Sequence, residues 1–157
     1  MLEVNLITKQ AFQAIGLRWD GTFQGAAKGE IRELIAEFKR RLNEISGIVI
    51  RDRILGFSEG HTKEGFTYFV MVETLQSDEI PDGMTALSIP TYTYAVCEHQ
   101  KGMNIDKTYE DLAAWYSAEG YELVPNARSF ETYPFHYNPL VDEPEFCVYN
   151  PVQLRKN

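Results

Sequence analysis

"AIGLRWDG", residues 14–21, and "AVCEHQKG", residues 95–102, match in apolar pattern and in their closing glycine at a spacing of 81 residues. Each is followed by a helical pattern and then by short strand-like runs, so the chain reads as one unit written twice. In the first copy, residues 5–21 read as an apolar strand compatible with a sheet edge and ending at Gly21. In "KGEIRELIAEFKRRLNEISG" (28–47), Ile31, Leu34, Ile35, Phe38, Leu42 and Ile45 recur at steps of three and four. That spacing draws one apolar stripe down a helix and leaves Glu30, Arg32, Glu33, Glu37, Arg40, Arg41 and Glu44 to solvent, with Gly47 as the stop. "RILGFSEG" (53–60) and "FTYFVMVETL" (66–75), separated by the turn-prone "HTKEG", then form a hairpin.

The second copy repeats this order. After the turn-rich "QSDEIPDG" (76–83), a strand-like "MTALSIPTYTYAVCEHQKG" (84–102) leads into the helical "IDKTYEDLAAWYSAEG" (105–120). Asp106 is the expected N-cap, Tyr109, Leu112, Ala113 and Tyr116 share a face, and Gly120 is the stop. Strands are expected around "ARSFETY" and "PEFCVYNPVQL". The sequence therefore predicts an α+β fold made of tandem βαββ modules, about 1–76 and 84–155 of a single domain spanning 1–157. Neither module can bury both faces of its own small sheet, so the two pack with pseudo-two-fold symmetry into an antiparallel sheet. Two long helices cover one side, and a concave ligand cleft is expected on the other.

Composition excludes several function classes. A chain of 157 residues, 44 % hydrophobic and 24 % charged, has the apolar mass for one real core. The net charge is -8 and the 15 Lys and Arg form no cluster beyond the helical "FKRR", so direct nucleic-acid binding, which needs a basic face, is not expected. "MLEVNLITKQ" has neither a basic start nor an apolar run, which argues against a membrane span or secretory signal and for a cytoplasmic protein. Cys97 and Cys147 lack CxxC spacing and lie in apolar runs, as reduced core thiols do. His61, His99 and His136 are scattered singly, no glycine run could cradle a phosphate, and neither metal nor cofactor is expected.

One residue stands out in "SFETYPFHYNPLVDEPEFCVYNPV" (129–152): Glu131 sits between Phe130 and Tyr133 in a strand-like segment. A carboxylate among rings is costly unless something pairs with it. By pattern alone it has two readings, an outward-facing strand residue or the anchor of a cleft.

The tandem βαββ order, "YTYAVCEHQKG" leading into a Trp-bearing helix, "YELVPNARSFETY" and the ending "EFCVYNPVQ" together resemble the GyrI-like, or AraC-type, effector-binding domain, a bacterial family of transcription regulation. The resemblance covers nearly the whole chain. It is most specific in Phe130, Glu131 and Tyr133, then Pro139 and Pro144, then Tyr149, Pro151 and Val152. It implies a small-molecule-binding module with an acidic residue in an aromatic cleft, taking lipophilic, often cationic, drug-like compounds. Glu131 is then the anchor, because a carboxylate held in low dielectric seeks a positive partner and ring faces add cation–π attraction. The resemblance turns the Tyr149 face of the last strand toward the ligand, with Cys147 beside it. Tyr68 follows by the duplication, Tyr92 and Tyr94 share a face of "TYTYA", and Trp115 lies just off the helix stripe. Stand-alone relatives imply two alternatives. One is a hydrolase of cyclopropane-containing electrophiles in which Glu131 and Trp115 act on water and substrate. The other is a gyrase-inhibitor-like module that meets a protein partner, a regulator or gyrase.

Overall fold

The structure is a computed structural model and describes residues 2–138 and 142–156; Pro139, one of the residues carrying the resemblance, lies outside them. The chain runs β1 (Val4–Lys9), β2 (Phe12–Thr22), α1 (Phe23–Ala27), α2 (Glu30–Arg40), β3 (Arg53–Glu59), β4 (Gly65–Thr74), β5 (Thr85–Ile89), β6 (Tyr92–His99), α3 (Ile105–Ala118), β7 (Tyr121–Leu123), β8 (Phe130–Pro134) and β9 (Phe146–Leu154). The strands form one sheet in the order β1-β6-β9-β8-β3-β4-β2-β5, with β7 added to β9. Every pairing is antiparallel.

Exchanging β1 with β5, β2 with β6, β3 with β8 and β4 with β9 reverses this order and otherwise leaves it unchanged. The pseudo-two-fold is thus written into the topology, and its axis passes between β3 and β8. The duplicated α+β fold is the one the sequence predicts. Residues 5–21, however, form two strands, broken at Gln10 and Ala11. β1 pairs with β6 and β5 pairs with β2, so each half lends its first strand to the other. The crossing points are tied together, since the Ala11 N–H donates to Thr91 Oγ1 at 2.8 Å.

Helix ends also differ from the prediction. α2 stops at Arg40 and the chain tightens into a 3-10 turn over Leu42–Glu44, while Leu42 and Ile45 still pack on the same cluster as the helix stripe. Asn104, not Asp106, caps α3, its side-chain oxygen accepting from the Lys107 N–H at 2.9 Å. Gly120 ends α3 at φ +88°, a left-handed turn that favours glycine. Among the described residues no helix is long and apolar enough to cross a membrane.

α2 covers Ile15, Leu17, Ile54, Tyr68, Val70 and Val72, and α3 covers Ala95, Cys97, Phe146, Val148 and Val152. The opposite face carries Ala14, Leu55, Phe57, Phe69, Met71, Tyr94, Val96 and Phe130, all buried although no helix lies over them. The sheet covers itself there. Lys9 of β1 reaches Glu73 of β4 at 2.6 Å, although five strand steps of about 4.8 Å would hold them roughly 24 Å apart on a flat sheet. Phe12 of β2 meets Phe130 of β8 edge-on at 6.1 Å for the same reason. Curling therefore fills the concave face with aromatic and aliphatic side chains.

One group in that core is unsatisfied. Tyr94 is 0 % exposed, and its hydroxyl has no hydrogen-bond partner among the described residues. A buried donor left without an acceptor costs about 1–3 kcal/mol. Tyr94→Phe should accordingly raise the unfolding free energy by roughly 1 kcal/mol in urea melts, against the usual sign for core substitutions.

Candidate functional site

Strand register places the acidic residue. Glu131 of β8 faces Gly56 of β3 on one side and Val148 of β9 on the other, and shares its face with Tyr133 two residues on. Val148 belongs to the cluster under α3, so Glu131 points to the helix-bearing side of the sheet and not to the concave face. Alternation alone requires this, because Phe130 is committed to the concave core.

The carboxylate is held by two phenols. Tyr133 donates from its hydroxyl to Glu131 Oε1 at 2.6 Å, and Tyr109, from the first half of α3, donates to Oε2. Tyr68 of β4 approaches from the third side. Its hydroxyl occupies the space that Gly56 leaves, where an added Cβ would lie 2.3 Å from Tyr68 Oη. Tyr137 stacks on Tyr133 with ring centroids 5.2 Å apart, and its carbonyl accepts from Lys39 of α2. One helix and two strands thus place three phenols around one carboxylate, and the loop residue Tyr137 backs one of them.

Part of Glu131 faces an opening, yet its carboxylate is packed closely enough for burial to raise its pKa above the usual carboxylate range; the hydrogen bonds from Tyr109 and Tyr133 oppose that rise. Burial, and then the neighbouring Glu131 charge, push the phenols of Tyr68, Tyr109 and Tyr133 up, so they stay neutral donors at physiological pH. Among the described residues no Lys, Arg or His forms an ion pair with Glu131.

In front of the carboxylate lies a cavity of about 660 Å³, lined by Gly56, Ser58, Glu59, Tyr109, Arg128 and Glu131 among others. Its rim is polar. Arg128 meets Glu59 at 3.5 Å, and His61 stacks on Phe66 with centroids 5.1 Å apart.

The residues singled out in the sequence fall on both faces. Glu131 and Tyr68 come together on the helix side. Tyr149 stacks on Phe130 at 4.6 Å on the concave side, Tyr94 packs edge-on against both, and Tyr92 joins the same cluster. Cys147 alternates with Val148 and so shares the Tyr149 face. Trp115 packs in the cluster under α3 with Tyr109 and Ala113 and is not among the residues lining the cavity. Neither phenol that holds the carboxylate was among the expected site residues, although Tyr133 is one of those carrying the resemblance. Tyr133 was legible, since a residue two along a strand shares its face. Tyr109 was not, because which helix residue meets which strand is a tertiary fact.

A duplicated, curled antiparallel sheet with two helices on one side defines the GyrI-like class of effector-binding domains. Within that class the chain belongs to the family of integron-associated effector-binding proteins, Cass2, whose model matches residues 5–152. Solved structures share the fold at low identity. SAV2435 bound to tetraphenylphosphonium is 14 % identical with a TM-score of 0.67, over 96 % of this chain and 94 % of that one. The C-terminal domain of EcmrR is 15 % identical with a TM-score of 0.68, over 99 % of each chain. A hydrolase from Listeria innocua is 12 % identical with a TM-score of 0.60, over 96 % of this chain and 92 % of that one. Among curated proteins none matches significantly.

Proposed function

We propose that this chain binds lipophilic cations in the cavity before Glu131, either sequestering them or acting as the sensing part of a regulatory system. One observation carries the reading: a carboxylate enclosed by three phenols, hydrogen-bonded by two of them and without an ion-pair partner among the described residues, at the inner end of a ligand-sized cavity. Phenol hydroxyls hold the charge in the empty protein, and ring faces would stabilise a delocalised cation that replaces bulk water. The fold neighbour SAV2435, solved with tetraphenylphosphonium, supports this choice of ligand class.

The test uses two near-isosteric ions of opposite charge. Calorimetric titration should show saturable binding of tetraphenylphosphonium at least tenfold tighter than of tetraphenylborate. Equal or tighter binding of the borate would overturn the reading.

The same geometry supports a second reading, because Glu131 and Tyr109 both line the cavity and could accept a proton from water and give one to an opening ring. A fold neighbour described as a hydrolase keeps it in view. Incubation with a cyclopropane-bearing electrophile, followed by mass spectrometry for a product 18 Da heavier, decides it; an unchanged substrate rejects catalysis on that class.

A further inference from the structure

We propose a second binding site, on the concave face of the sheet, for a carboxylate-sized oxoanion gripped by Arg53. A small cavity of about 110 Å³ lies near the pseudo-two-fold axis, lined by Arg53 and Leu55 of β3, Phe130 and Thr132 of β8, Tyr149 of β9, and the Lys9–Glu73 pair, among others. Two cations against one carboxylate leave this lining with an excess of one positive charge, in a chain whose net charge is -8.

Arg53 has no carboxylate partner among the described residues; its guanidinium meets the Cys147 sulfur. Glu73 is taken by Lys9 at 2.6 Å, and Glu145, across the adjoining groove, by Lys101 at 3.8 Å. Neither of these nor Glu98, which lines the same groove, forms an ion pair with Arg53, and among the described residues no other carboxylate does. The guanidinium sits against the Cys147 thiol and the Tyr149 phenol, where its charge opposes the upward pull of burial on both. Arg53 also lines that groove, of about 390 Å³, so its guanidinium borders both openings.

The chemistry selects the ligand. A guanidinium offers two parallel N–H donors that match the two oxygens of a carboxylate. Thr132 is 7 % exposed and its hydroxyl, which meets the Cys147 sulfur in the empty protein, lines the cavity with that of Tyr149, and Phe130 adds an apolar wall. A cavity of about 110 Å³ has room for a small carboxylate such as acetate or formate. This site shares no polar residue with the Glu131 cavity and stands whether or not that cavity binds cations.

The experiment adds sodium acetate to the full chain at pH 7, with sodium chloride completing a constant ionic strength. Backbone and side-chain resonances of Thr132, Cys147 and Tyr149 should shift saturably with acetate. Arg53→Gln, its fold checked by near-ultraviolet circular dichroism, should weaken binding roughly ten- to hundredfold, the scale of a charge-assisted contact. Should that variant not fold, Arg53→Lys keeps the charge and loses the fork, and a several-fold weakening is expected. No saturable shift in the parent, or equal affinity in the Arg53 variant, would overturn the site.

Discussion

Glu131→Gln should lower the affinity for tetraphenylphosphonium by roughly ten- to hundredfold, as expected for loss of a charge-assisted contact of about 1.5–3 kcal/mol. The amide keeps the shape and one acceptor oxygen, so either Tyr109 or Tyr133 can still donate to it. Triphenylphosphine oxide, neutral and similarly bulky, should bind both forms alike. The pH dependence separates this from a packing effect. A cation is anchored only by ionised Glu131, whose pKa is raised mainly by burial, so affinity in the parent should begin to fall at a higher pH than an ordinary carboxylate would give. In the variant that slope should vanish. Stability of the empty protein has the opposite sign. As pH rises from the ordinary carboxylate value, the unfolded chain releases its proton first while folded Glu131 retains it. Stability therefore falls across the window up to the raised value and is level above it. Urea melts between pH 4 and 8 should show that fall in the parent and its reduction in Glu131→Gln. Unchanged cation affinity in the variant would make Glu131 a structural residue.

The duplication was legible in the repeated order of strand and helix patterns, but the 81-residue match is one residue out of structural register: it sets Ala14 of the concave core against Ala95 of the cluster under α3, and Gly21 inside β2 against Gly102 in the turn after β6. Strand exchange was not legible. A pattern tells which residues of β1 are apolar but not that β6, in the other half, completes its ladder. The concave cleft was inferred from a sheet with helices on one side, and the Lys9–Glu73 contact shows why that face is instead largely filled: the sheet curls until its halves touch. Glu131 stood out because a carboxylate between rings demands a partner, and the structure supplies phenols. Tyr149 was placed with Glu131 on the strength of resemblance, but cross-strand register decides otherwise. Phe130 pairs with Tyr149 and Glu131 with Val148, so the two candidates lie on opposite faces. Alternation fixes faces within a strand; only register relates them between strands.

Adjacent residues of β3 should divide stability from binding. Phe57 is 0 % exposed on the concave side, its ring centroid 5.2 Å from that of Phe130, and Phe57→Ala should cost about 3–5 kcal/mol by removing buried contacts and leaving a cavity. That is a large share of the 5–15 kcal/mol typical of a domain, so its urea midpoint should drop sharply. At temperatures where it remains folded, its tetraphenylphosphonium affinity should stay within a few-fold of the parent's. Gly56→Ala should do the reverse. Its new Cβ would stand 2.3 Å from Tyr68 Oη and 3.1 Å from Tyr68 Cζ, and Tyr68 is only 5 % exposed, so the ring cannot swing into solvent. Overpacking should cost about 1–3 kcal/mol, less than Phe57→Ala. The displaced phenol must crowd the carboxylate beside it, and cation affinity should fall at least tenfold. If Gly56→Ala kept full affinity, or Phe57→Ala lost it while still folded, the two faces of β3 would not have the separate roles that register assigns them.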